Sequence, residues 1–401
     1  MNNRVVIVGA GQAGLQVAIS LRQGGFQGDI MLLGKEVHLP YQRPPLSKQV
    51  LTGEWPADRC LLRHAEFFAG HAIDFRPSTT VVALDTEAMR VVTGQGETFS
   101  YQHLAICTGA RLNRIELPGS GLPGVHYLRT LDEALALRGM LQAGRRLVVA
   151  GGGYIGLEVA ASARSLGCEV DVVEPLDQLM KRSALAPVAD FLQRRHEAAG
   201  VRIHFGRMLT GIHGQDAVSA VRLDDGQTIA ADLVLKGIGV RPDLRWLEDS
   251  GVATGRGVHV DAQCRTNVEN VWAAGDVCET RHPLLAQGMV LESVQNAVSQ
   301  GQVVAAGILG QDRSYTETPW FWSEQFDCRL QMAGIPREGD TLVIRESGPN
   351  SLSVLSIGTG GLHAIQCINT PKDYMAARKL IERGEKSRAL FEPTTNLKDL
   401  L

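Results

Sequence analysis

The sequence predicts an α/β chain with two parallel-sheet domains, the second inserted in the first, and an α+β domain at the C-terminal end. Three observations predict it. A strand–glycine turn–helix pattern occurs twice; a segment fit to complete the first copy returns only after the second has ended; and beyond residue 319 the pattern changes to consecutive strand-like runs. At roughly 100–200 residues per domain, 401 residues give two to four domains. The expected division is 1–112 with 242–318, then 113–241, then 319–401.

The first copy, Arg4–Gly14, reads RVVIVGAGQAG, and the second, Arg146–Gly156, reads RLVVAGGGYIG, aligned without a gap at an offset of 142. Each joins an apolar, β-branched run to GxGxxG, and helical spacing follows over Leu15–Arg22 and Leu157–Leu166. The first glycine makes the tight turn and the second lets backbone approach a pyrophosphate. The third lets helix pack on strand, while the helix N-terminus offers free N–H groups to the anion. Both copies are therefore read as Rossmann-like dinucleotide-binding units. They account for part of a glycine excess, 44 residues against roughly 28 at usual composition.

The second copy continues as a strand over Cys168–Val173 and ends on Glu174. A carboxylate there accepts hydrogen bonds from ribose hydroxyls and repels a 2′-phosphate, which favours NADH over NADPH. In the first copy the strand Ile30–Leu33 runs into Gly34, Lys35 and Glu36, offering Glu36, and next to it Lys35, as the ribose ligand. His103–Ala110 (HLAICTGA) is a buried strand ending at Thr108 and Gly109. Asn270–Asp276 (NVWAAGD) is a strand ending at Gly275 and Asp276, where an aspartate can hold a ribityl hydroxyl; a helix over Ala286–Leu309 follows. Strand-like runs at Thr341–Arg345, Leu352–Ile357 and Leu362–Ile368, with a charged helix from Pro371 to about Arg383, make the C-terminal domain.

Composition excludes other classes. Forty basic and 43 acidic residues leave a net charge of −3, against a general nucleic-acid binder. No run of 18 apolar residues is present, so no membrane span is expected, and the strand-like run starting at Arg4 leaves no room for a signal peptide. Seven scattered cysteines read as a reducing, cytoplasmic compartment.

The order of GxGxxG, Tyr41–Lys48 (YQRPPLSK), Thr108–Gly109, the second glycine motif running to Glu158, Ala274–Asp276 and Trp320–Ser323 (WFWS) resembles the FAD-dependent NADH:ferredoxin reductases. The likeness covers essentially the whole chain. Through Leu179–Arg182 (LMKR) and the C-terminal CIN and NLKDL segments it leans toward the reductase components of bacterial aromatic-ring dioxygenases, such as biphenyl dioxygenase; the chain is also similar to putidaredoxin reductase. The resemblance implies FAD in the first site and NADH in the second. Hydride passes to the flavin, and single electrons go on to a [2Fe–2S] ferredoxin that feeds a terminal oxygenase. It implies FAD contacts at Gly9, Gly11, Gly14, Glu36, Arg43, Lys48, Val81, Thr108, Gly109, Arg111, Arg129, Gly275, Asp276, Val294 and Trp320. NADH contacts are implied at Gly151, Gly153, Tyr154, Ile155, Gly156, Glu174, Arg182 and Gly237. It also implies that Lys48 and Glu158 form an ion pair beside the flavin N5 region, where a cation stabilises developing negative charge.

Trp320 is the aromatic that the family sets between flavin and ferredoxin, although Trp320, Phe321 and Trp322, with Phe326 nearby, also fit a core cluster. From Pro371 to Leu390, six basic residues (Lys372, Arg378, Lys379, Arg383, Lys386 and Arg388) against three acidic ones (Asp373, Glu382 and Glu385) would steer an acidic ferredoxin, or simply form a solvated face. Dithiol chemistry is not expected, since no CxxC or CxxxxC occurs, and the 11 histidines form no metal-ligand grouping. A cytochrome P450 system is the alternative destination for the electrons. A flavoprotein resembling apoptosis-inducing factor, acting through protein interaction, is the other class.

Overall fold

The computed structural model describes residues 3–282, 284 and 288–401. The chain divides into two compact units. One comprises Met1–Gln42, Cys60–Arg111 and Val240–Trp320, the other Arg43–Arg59, Leu112–Gly239 and Phe321–Leu401.

In the first unit the strand Arg4–Val8 lies at the centre of a five-stranded sheet, flanked in parallel by Asp29–Leu33 and His103–Ile106. Ile73–Arg76 and Val271–Ala273 complete its two edges. Val5, Val6 and Ile7 are fully buried, as expected of a parallel strand covered on both faces. The helices Gln12–Gln23 and Val294–Ile308 pack together at Gly301, where an added Cβ would lie 3.0 Å from the Ala13 carbonyl oxygen. That second helix begins at Val294; Ala286, where the sequence pattern starts it, lies outside the described residues.

The second unit repeats this architecture. Arg146–Ala150 sits between the parallel strands Glu169–Glu174 and Leu233–Lys236, with Val201–Phe205 and Val125–His126 at the edges. Strand order in the two sheets is equivalent. The last strand of the first sheet, Val271–Ala273, follows the whole of the second sheet in the chain, so the second α/β element is inserted in the first. A five-stranded sheet of Trp320–Gln325, Cys328–Gly334, Gly361–Ile368, Ser351–Gly358 and Thr341–Gly348 forms the C-terminal α+β part. The helices Ala186–Ala198 and Pro371–Arg383 pack against it. Val188, Leu192, Leu330, Val354 and Ile368 share one core cluster there.

Candidate active site

The two glycine turns are built alike, bond for bond. Gly9 N–H donates to Leu33 O at 2.9 Å and Cys107 N–H to Val8 O at 2.8 Å; Gly151 N–H donates to Val173 O at 2.8 Å and Gly237 N–H to Ala150 O at 2.8 Å. Gly9 and Gly151 both have φ of 111°. A Cβ on Gly9 would lie 2.2 Å from Cys107 O, and one on Gly151 would lie 2.4 Å from Gly237 O. The third glycines are equally pinned, with a Cβ on Gly14 falling 1.9 Å from Gly9 O and one on Gly156 falling 2.2 Å from Gly151 O.

The middle glycines differ. A Cβ on Gly11 or Gly153 would meet nothing within 4 Å. Their backbones are extended, with φ −87° and −81°, so the fold itself does not demand glycine there. Each is the N-cap of its helix, with no side-chain cap and no acidic residue in the first turn. The uncapped N–H groups and positive helix ends suit a pyrophosphate, and the open space over each middle glycine is what its approach requires. The residues present fit two dinucleotides.

Glu174 is buried at its strand end, and both carboxylate oxygens are held by backbone. Gly152 N–H donates to one at 2.7 Å and Leu176 N–H to the other at 2.9 Å. This fixes the acid against the glycine turn while leaving lone pairs for ribose hydroxyls. Glu36 is half-buried and accepts from the Tyr41 hydroxyl at 2.5 Å. Tyr154 and Ile155 open the second helix, Ile155 exposed, while the Tyr154 ring packs on Phe321 with centroids 4.7 Å apart. Burial pushes the Tyr154 phenol up to about 12, so it stays neutral. Arg182 is exposed.

In the first unit, Thr108 and Gly109 follow the strand His103–Ile106. The Thr108 hydroxyl oxygen is buried with no hydrogen-bond partner among the described residues, an acceptor and donor left for a ligand. Gly275, at φ 87°, donates its N–H to Gln300 Oε1 at 2.8 Å and precedes a half-buried Asp276. Val294 is the first residue of its helix, and Trp320 N–H donates to Gln295 Oε1 at 3.4 Å. Arg111 faces Asp243, with Nε 3.4 Å from the carboxylate. Val81 turns its side chain into the core beside a strand irregularity. Trp320, Phe321 and Trp322 are all half-buried on one strand, whereas Phe326 lies in the following turn and packs on His196 at 5.0 Å.

Arg43, Lys48, Arg129 and Glu158 belong to the second unit. Arg43 Nη1 donates to Arg129 O at 2.5 Å. Lys48 Nζ lies 2.8 Å from Glu158 Oε2, with the two side chains only 11% and 7% exposed. Sequence reasoning missed the groups around this pair. Ser47 Oγ donates to Glu158 Oε2 at 2.5 Å and Ser323 Oγ to Oε1 at 2.7 Å, while Ser162 Oγ holds Ser47 O at 2.7 Å. The only available signal was that Ser47 and Ser323 belong to the RPPLSK and WFWS segments themselves.

On the C-terminal helix, Arg378 pairs with Glu382 at 3.2 Å and Arg345 with Asp373 at 3.2 Å; the Glu385 carboxylate accepts from Lys386 and Ser387 N–H groups. Lys372, Lys379, Lys386 and Arg388 stand exposed, with Met375 55% exposed among them. All seven cysteines are free and buried, and burial raises the thiols of Cys107, Cys168, Cys264, Cys278, Cys328 and Cys367. No described helix is long and apolar enough to cross a membrane.

Residues 3–301 match the pyridine nucleotide-disulphide oxidoreductase family and residues 320–401 the reductase C-terminal family. The chain is 40% identical to rhodocoxin reductase of Rhodococcus erythropolis, over 94% of this chain and 89% of that one. It is 38% identical to the anthranilate 1,2-dioxygenase system ferredoxin–NAD(+) reductase component of Burkholderia cepacia, over 99% and 98%. The crystal structure of the ferredoxin reductase for the CYP199A2 system from Rhodopseudomonas palustris superposes with a TM-score of 0.94 at 38% identity, covering 100% of this chain and 99% of that one. The chain belongs to the pyridine nucleotide-disulphide oxidoreductase family, in the branch that ends in the reductase C-terminal segment and includes these ferredoxin reductases.

Proposed function

We propose that the chain is an NADH:ferredoxin oxidoreductase whose [2Fe–2S] ferredoxin feeds an aromatic-ring-hydroxylating dioxygenase. The observation that carries the reading is the pair of equivalent glycine turns, each open over its middle glycine, on one chain with a largely buried Lys48–Glu158 pair. FAD, when bound, accepts a hydride from NADH and releases electrons one at a time.

The chain's own residues bind and orient. Gly9, Gly11, Gly14, Thr108, Gly275 and Asp276 receive FAD, while Gly151, Gly153, Gly156, Glu174 and Gly237 receive NADH. The Glu174 carboxylate selects against a 2′-phosphate by charge. Lys48 would supply positive charge to the flavin as it gains electrons, and Glu158 holds the ammonium through their 2.8 Å ion pair; no acid–base pair or thiol is needed. Trp320 would cover the flavin ring and shape the electron exit. The exposed Lys372, Lys379, Lys386 and Arg388 attract an acidic partner.

Three domains carry these roles: FAD in 1–112 with 242–318, NADH in 113–241, and the C-terminal part in 319–401. Free cysteines throughout accord with a cytoplasmic setting. The likeness to the CYP199A2-system reductase supports a second reading, in which the ferredoxin serves a cytochrome P450. Anaerobic stopped-flow mixing of the flavin-loaded protein with NADH tests the first half of the reaction. Rapid bleaching of the flavin absorbance is expected, at least about tenfold faster than with NADPH at equal concentration. Equal rates with both nucleotides would contradict the proposal.

A further inference from the structure

The Glu158 carboxylate is the end of a longer buried chain of hydrogen bonds. Ser323 Oγ donates to its Oε1 at 2.7 Å, Gln325 Nε2 donates to Ser323 Oγ at 3.1 Å, and His196 Nε2 lies 2.9 Å from Gln325 Oε1. Ser323 and His196 are 0% exposed, Gln325 1% and Glu158 5%. These side chains are closed off from bulk solvent, so the direction of their bonds is set by the protein.

The direction matters because a serine hydroxyl has one proton. If the Gln325 amide donates to Ser323, the serine proton is free to go to Glu158. If the amide were turned over, its oxygen would take that proton and the carboxylate would lose a donor. His196 decides the orientation. Its Nδ1 is buried with no hydrogen-bond partner among the described residues. A proton on Nδ1 would be an orphaned buried donor, which is costly, so the proton sits on Nε2 and is donated to Gln325 Oε1. Burial pushes the His196 imidazole down to about 4, which keeps it in this neutral form at neutral pH.

We propose that Ser323 is a positioning residue for the Glu158–Lys48 pair, with its hydroxyl proton aimed at the carboxylate by Gln325 and, behind that, by the His196 tautomer. The role rests on the reading above that this pair serves the flavin. With Ser47 and Lys48 on one carboxylate oxygen and Ser323 on the other, Glu158 has no free rotation, and the Lys48 ammonium inherits that fixed position. Two serines far apart in the chain, from the RPPLSK and WFWS segments, thereby converge on one acid.

The test compares Ser323→Val with Ser323→Thr in the flavin-loaded protein. Both add bulk at the same buried position and differ only in the hydroxyl. Ser323→Val should slow bleaching of the flavin by NADH about tenfold and shift the flavin midpoint potential in spectroelectrochemical titration. Ser323→Thr should recover to within about threefold of the parent rate and restore the potential. Gln325→Leu should fall between them. In a Glu158→Gln background, Ser323→Val should add less than about a twofold effect, because its target is gone. Equal rates and potentials for the valine and threonine variants overturn the proposal, as does an undiminished Ser323→Val effect beside Glu158→Gln. If Glu158→Gln itself leaves rate and potential unchanged, the reading of the ion pair fails, and this inference with it.

Discussion

Replacing Gly153 with alanine separates a glycine required by the fold from one required by a ligand. The backbone there is extended at φ −81° and ψ 177°, and an added Cβ meets no protein atom within 4 Å. The folded chain therefore accepts alanine: the freedom lost by the unfolded chain favours it by about 0.4–1 kcal/mol, and alanine's poorer fit at the N-cap offsets this by a comparable amount, leaving stability nearly unchanged. Gly156→Ala, three residues on, drives a Cβ to 2.2 Å from the Gly151 oxygen and should cost about 1–3 kcal/mol or more. For NADH the order reverses. A methyl group over the second glycine holds the pyrophosphate off the helix N-terminus and removes at least one charge-assisted hydrogen bond, worth about 1.5–3 kcal/mol. That corresponds to about a 10–150-fold weaker NADH affinity. Thermal melting of both variants, with NAD+ or NADH titration monitored through the flavin spectrum, reads both numbers. A Gly153→Ala protein that binds NADH within about twofold of the parent, or that melts as low as Gly156→Ala, would refute the assignment of this turn.

Lys48→Met should lower stability by about 3 kcal/mol, because it leaves Glu158 buried without its cation, and should slow bleaching by NADH at least about tenfold; chemical denaturation of Lys48→Met and of Lys48→Met with Glu158→Gln checks this, the second change restoring much of the stability. Acid should destabilise the fold through buried imidazoles. His196 refuses a proton until about pH 4 in the folded protein but takes one near 6.5 when unfolded, so the unfolded state binds more protons between these values and stability falls as pH drops. His196 contributes up to about 3 kcal/mol to that loss. His103, His126 and His282, also lowered by burial, act in the same direction. His196→Asn should flatten the pH dependence of denaturation between about 6.5 and 4 by its share. The rate of reduction of an acidic ferredoxin should fall as salt rises, and Lys379→Glu with Lys386→Glu should flatten that dependence without slowing bleaching by NADH; a salt-insensitive rate in the parent would remove the basic segment from docking.

The α/β framework was legible because its signals are local. A β-branched run, three glycines at fixed spacing and a helical period sit within a dozen or so residues, and each copy reads alone. The position of Glu174, at the end of its strand and against the glycine turn, was legible for the same reason, lying at a fixed distance along a βαβ unit. Side-chain partners set by tertiary approach were not. Nothing in the spacing of Arg111 and Asp243 announces that they pair, and the alternation over Trp320–Gln325 does not reveal that Ser323 turns toward Glu158, 165 positions earlier. Phe326 shows the limit of counting neighbours in sequence. A positive φ of 54° in the turn after that strand sets its ring against His196, a partner 130 positions earlier in the chain.

In the proposed function, electrons from NADH leave this chain through a ferredoxin. Steady-state reduction of cytochrome c by the purified, FAD-loaded protein, with NADH or NADPH and with or without candidate [2Fe–2S] ferredoxins, tests it most directly. Reduction should require both NADH and a ferredoxin and should saturate with ferredoxin concentration. Reduction at full rate without any ferredoxin, or only with NADPH, would contradict it.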